Sequence, residues 1–126
     1  MQVKRPELSE CELIVMKCIW DAGVPVTCAH IMGQLKEKFG LDYKDTTVYT
    51  FLKTLKGKGF VESERKGVTY YTAIQEEEKY REDVLRKTEK FWFGGSASQM
   101  ISTLLHAEDI SEQEREEIRR VIDELD

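Results

Sequence analysis

The hydroxyls and cations of residues 44–66 are the side chains whose types and spacing bear most directly on chemistry. Over residues 45–57, at roughly 100° per residue, Val48, Phe51, Leu52 and Leu55 fall on one side of a helix, and Thr46, Thr50, Lys53 and Gly57 on the other. The outward face holds hydroxyls and a lysine, with no carboxylate beyond Asp45 at its start. Such groups reach base edges and phosphates, and nothing on the face repels a polyanion, so the helix suits a DNA major groove. Any amphipathic helix has a polar face, and the segment after this one is the more specific signal. Two β-prone runs, 60–65 and 68–72, flank Lys66-Gly67, whose composition suits a tight hairpin with Arg65 and Lys66 at its tip.

Catalysis finds no comparable support. The chain holds no paired nucleophile and base, phosphate loop, HExxH motif or carboxylates gathered at a loop apex, and it has 2 histidines. Cys28 and His30, two apart on a predicted helix, point nearly opposite ways and do not suggest a metal site. No cofactor is implied.

The elements that must position this helix and hairpin are marked by their caps. Ser9 as N-cap with Glu12 at the third helical position makes a capping box, with Leu8 stapled to Leu13. That helix runs through Ile14, Val15, Met16, Ile19 and Trp20 to a stop near Ala22-Gly23. A second helix starts with Thr27 as N-cap and Val26 stapled to Ile31, passes Leu35 and ends at Gly40. Three helices and a hairpin in about 65 residues are the order of a winged helix-turn-helix, a three-helix reader with a β-wing.

From Gln75 the character changes. A charged helix opening at Glu76 carries Tyr80, Val84, Leu85, Phe91, Trp92 and Phe93, and Gly94-Gly95-Ser96 breaks it. A second helix carries Met100, Ile101, Leu104 and Leu105, and a third, capped by Ser111 and Glu114, carries Ile118, Val121, Ile122 and Leu125. These short helices show more apolar surface than they bury alone. A symmetric dimer would cover it, the alternative being an intramolecular three-helix appendage. The expected organisation is mainly α: a winged-helix DNA-binding domain over residues 1–74 and a helical dimerisation domain over 75–126.

The 126 residues, 40% apolar and 34% charged, bound a soluble chain with one modest core or a small domain plus an appendage. No apolar run approaches the roughly 18 residues of a membrane helix. The polar start, Met1-Gln-Val-Lys-Arg-Pro6, leads into an amphipathic segment unlike a signal peptide, so a cytoplasmic location without membrane insertion is expected. The net charge of −5 divides as −1 over residues 1–43, +3 over 44–74 and −7 over 75–126, so the positive charge concentrates in the helix and hairpin. Screening over about 8–10 Å keeps the acidic tail from cancelling that patch. Cys11, Cys18 and Cys28 show no CxxC spacing and suit a reducing compartment. The first two lie roughly 10.5 Å apart along a helix, too far for a disulfide, and are expected to fill space in or beside the core.

Four strings carry a resemblance: Leu8-Ser-Glu-Cys-Glu-Leu-Ile-Val-Met-Lys-Cys-Ile-Trp20, Thr46-Thr-Val-Tyr-Thr-Phe-Leu-Lys-Thr-Leu55, Lys58-Gly-Phe60 and Phe93-Gly-Gly-Ser96. In order and spacing they resemble the penicillinase repressor family of the BlaI/MecI type over nearly the whole chain. The resemblance implies a homodimeric winged-helix repressor of palindromic operators, often ahead of β-lactam resistance genes, whose helical tail a membrane-bound sensor-protease system causes to be cut. It places the recognition helix on residues 46–55, the wing on 64–69 and the cleavage region near 100–105, at Ser102, Thr103 and Leu104. Well-known members are cut at an Asn-Phe junction, where this chain reads Ile101-Ser-Thr-Leu-Leu105. Related copper-responsive repressors carry Cys-x-Cys pairs in the tail, and no cysteine follows Cys28 here.

The leading expectation is therefore a repressor of double-stranded DNA operators. Thr46, Thr47, Tyr49, Thr50 and Lys53 would make groove contacts, Lys44, Arg65 and Lys66 would meet phosphates, and the free amides near Thr27 could hold another phosphate. The competing reading is a protein-binding winged-helix adaptor without DNA binding, distinguished by the absence of salt-dependent affinity for nucleic acid.

Overall fold

A computed structural model describes residues 7–125; residues 1–6, on which the expectation of no signal peptide partly rests, and residue 126 lie outside them. Helix α1, Glu10–Ala22, starts at a complete capping box: Ser9 Oγ accepts the Glu12 amide at 3.2 Å, and Glu12 Oε1 accepts the Ser9 amide at 3.1 Å. Leu8 packs on the core while Leu13 remains exposed. Helix α2, Cys28–Phe39, starts where Thr27 Oγ1 accepts the His30 amide at 3.2 Å. Helix α3, Asp45–Gly57, has Lys44 as its N-cap residue, with no side-chain cap bond from it.

The three helices meet in one apolar core. Val15, Met16 and Ile19 of α1, Ile31 and Leu35 of α2, and Val48, Leu52 and Leu55 of α3 are all buried. Burying each such side chain contributes about 1.5–3 kcal/mol before chain entropy is counted. Because Val48, Leu52 and Leu55 anchor one face of α3 in this core, the opposite face is held toward solvent. Lys58 sets the far end of that helix: its ammonium donates to Glu12 Oε1 at 2.6 Å and to the Glu7 carbonyl at 2.8 Å. Burial works to raise the Glu12 carboxyl, but the Lys58 and Ser9 bonds outweigh it and hold it below its ordinary value.

The chain then forms a hairpin of β2, Val61–Lys66, and β3, Val68–Ala73. A third strand that the sequence reading lacks, β1, Val26–Thr27, pairs antiparallel with β3, giving the order β1-β3-β2. Phe60, Val61 and Tyr71 close the core from this side. In the hairpin Arg65 opposes Thr69 and Lys66 opposes Val68, so Gly67 alone, at φ 76°, turns the chain. The expected two-residue Lys66-Gly67 turn is thus one residue tighter, and the left-handed backbone at its apex is one that glycine adopts without strain.

Helices α4 (Glu77–Phe93), α5 (Ala97–Ala107) and α6 (Glu112–Asp123) complete the chain. Ser96 and Ser111 cap the latter two by accepting the Gln99 and Glu114 amides, each at 3.2 Å. The chain divides into two compact units, residues 1–81 and 82–126. Tyr80, expected among the dimerisation residues, packs within the first unit, its ring centroid 5.7 Å from both Trp20 and Phe60. Trp20 Nε1 also donates to the Gln75 carbonyl at 2.8 Å, and Lys17 bonds Glu77.

In the second unit no described residue is buried. Val84, Leu85, Phe91, Trp92, Ile101, Leu104, Leu105, Val121, Ile122 and Leu125 are exposed, Trp92 at 72% and Leu125 at 71%, while Met100 and Ile118 are half-buried. No helix among the described residues is long and apolar enough to cross a membrane.

Candidate nucleic-acid interface

The outer face of α3 is assembled from its first turn onward. Asp45 Oδ1 accepts the Thr46 amide at 2.7 Å, so this carboxylate is engaged by the helix start, where the helix dipole favours it. Lys44, Thr46, Tyr49, Thr50 and Lys53 are exposed, and Thr47 is half-buried. The structure therefore brings the expected groove residues onto one surface, with Thr47 nearest the core. Thr50 Oγ1 donates to the Thr46 carbonyl at 2.9 Å, and Thr54 Oγ1 to the Thr50 carbonyl at 3.1 Å.

The hairpin divides its two tip cations. Lys56 of α3 donates to Ser63 Oγ at 2.8 Å, which identifies the face of β2 that looks toward α3. With a side-chain period of two, Arg65 lies on that same face and Lys66 on the other. Lys66 sits 3.9 Å from Glu64, an exposed pair of little energetic weight that nonetheless lowers the net charge there. The sequence reading treated Arg65 and Lys66 as equivalent; the register separates them.

Tyr49 ties the two sides of this surface together. The Cys28 thiol beside it, then desolvation, hold its phenol above the ordinary value, and the Arg65 charge pulls the other way. Burial pushes the Cys28 thiol up, with the Tyr49 hydroxyl opposing, and burial also raises Cys18. Both are buried, protonated space-fillers, while half-buried Cys11 places Sγ 3.5 Å from Tyr43 Oη. Thr27 is doubly engaged, capping α2 and pairing with Tyr70 in the sheet.

Sequence reasoning missed Ala29 and Met32, which line a shallow depression with Cys28, Lys44, Asp45 and Tyr49 where the first turns of α2 and α3 meet. Their three-residue separation on α2 signals a shared face, but nothing local says that Tyr49 meets it. Lys56 and Lys58 were counted with the basic segment. One bonds Ser63 and the other Glu12, so Lys58 acts in the fold.

The penicillinase repressor family model matches residues 8–124. The chain belongs to that family. Penicillinase repressors are DNA-binding transcriptional regulators rather than enzymes. Among solved structures, the solution structure of the monomeric form of BlaI from Bacillus licheniformis, in complex with the blaP half-operator, is similar at 29% identity with a TM-score of 0.50. The similarity covers 61% of this chain and 92% of that one, a share of this repressor close in length to its first unit. No curated protein matches the chain.

Proposed function

We propose that the chain is a homodimeric repressor of a palindromic operator ahead of β-lactam resistance genes. The observation that carries this reading is the exposed face of α3, with Thr46, Tyr49, Thr50 and Lys53 flanked by Lys44 and Arg65, in a domain similar to one solved on a half-operator. One reader fits one half-site, so a palindrome calls for two. The apolar side chains of α4–α6, none of them buried within a single chain, supply the surface that would join them. Joined readers would enter successive major grooves about 34–36 Å apart and block polymerase by occupancy.

Derepression would act on the tail. Ser102, Thr103 and Leu104 are exposed on α5, and a cut there by a sensor-protease system would separate α6 from the rest of the interface. Loss of α6 would weaken the pairing, lower the effective concentration of the paired readers and vacate the operator.

The test is a gel shift on DNA upstream of a β-lactamase gene, with sedimentation of the free chain. Neutralising about six phosphates would make log affinity fall with log salt at a slope near −5. A salt-independent or absent shift would reject the repressor reading in favour of a protein-binding adaptor. A monomer at micromolar concentration would reject the homodimer.

A further inference from the structure

The hydroxyl of Thr50 is already engaged by its own helix. It donates to the Thr46 carbonyl at 2.9 Å, one turn back. A helical threonine bonded in this way has its hydroxyl hydrogen inside the turn, and its γ-methyl takes the other allowed position. Thr50 is exposed, so this methyl is the group it presents outward. The half-exposed Tyr49 ring belongs instead to the depression it lines with Cys28, Ala29 and Met32 of α2. Lys44 and Lys53 are likewise exposed.

Among the groups that base pairs display in the major groove, the thymine 5-methyl is the apolar one. We propose that Thr50 selects thymine through methyl contact rather than through a hydroxyl hydrogen bond. Each operator half-site then carries a thymine where the middle of α3 crosses the groove. Donation from the Thr50 hydroxyl to a base would require breaking its bond to Thr46. This inference rests on the reading of α3 as the groove helix.

The experiment uses the full chain and a duplex selected by it from random-sequence DNA. Thr50→Val keeps the methyl and loses the hydroxyl; Thr50→Ser does the reverse. The expected result is Val within about twofold of the parent and Ser weaker by about fourfold, the factor that corresponds to burying one methyl. Replacing each thymine by deoxyuridine in turn should weaken the parent by a similar factor at one position per half-site, and Thr50→Ser should be indifferent there. The reverse ranking of Val and Ser, or a duplex with no position sensitive to methyl removal, overturns methyl selection while leaving DNA binding intact. Failure to select any duplex overturns the groove assignment itself and this inference with it.

Discussion

Cutting the chain after Ile74 or after Arg81 separates two views of where the reader ends. The hairpin closes by Ala73, so a fragment of residues 1–74 holds every element of the winged helix. It lacks, however, the Tyr80 ring, 5.7 Å from both Trp20 and Phe60, and the Gln75 carbonyl that accepts the Trp20 indole at 2.8 Å. Two aromatic pairs contribute about 0.5–1.5 kcal/mol each, and a half-buried indole left unpaired costs roughly 1 kcal/mol more. The exposed Lys17 to Glu77 pair adds at most about 1 kcal/mol. The sum, about 2–5 kcal/mol, is a large part of a small domain's total of about 5–15 kcal/mol. At about 4–8 °C per kcal/mol, the 1–74 fragment is expected to melt about 8 °C or more below the 1–81 fragment. The assay is thermal and urea unfolding followed by circular dichroism, with half-site binding measured on the folded fraction. Melting temperatures within about 2 °C of each other would refute the claim that Tyr80 belongs to the reader.

The Glu12 carboxyl is lowered in the fold, so its contribution is fully present above its unfolded value near 4.5 and is lost as pH falls through the folded value. Glu12→Gln is expected to cost about 1–3 kcal/mol at pH 7 and to flatten the acid limb of a urea-stability profile; an unchanged limb would count against the pair with Lys58. Arg65→Ala is expected to weaken DNA binding more than Lys66→Ala, by a factor of about five or more, because Lys66 faces away from α3 beside Glu64. Equal losses in a fluorescence anisotropy titration would mean that the wing turns both faces to DNA. A chain truncated after Thr103 is expected to sediment as a monomer and to bind a full palindrome at least tenfold less tightly; retention of a dimer would place the interface outside α5 and α6.

Much of the fold is written in local signals. Ser9 with Glu12, Thr27 and Ser111 mark helix starts, and Gly23 and Gly40 mark ends, because caps satisfy amides and carbonyls within a few residues of themselves. The polar face of α3 follows from period alone. What was not legible depends on distant partners. Val26–Thr27 is too short to show a strand's alternation, and Thr27 was already accounted for as a cap. Tyr80 shares helical spacing with Val84 and so reads as part of the tail stripe, whereas its partners Trp20 and Phe60 are 60 and 20 positions away in the sequence. The opposite orientations of Arg65 and Lys66 depend on a register that one residue of turn length decides.

The absence of any buried side chain among the described residues of the second unit has a consequence for cellular dosage. If that unit acquires its core only by pairing, the population of functional readers responds to the square of the chain concentration whenever chains are scarce relative to the dissociation constant. Halving the chains would then leave about a quarter of the pairs. The regulated promoter would open over a narrow range of repressor abundance, and a protease that consumed only part of the pool would produce a sharper response than the fraction it cut.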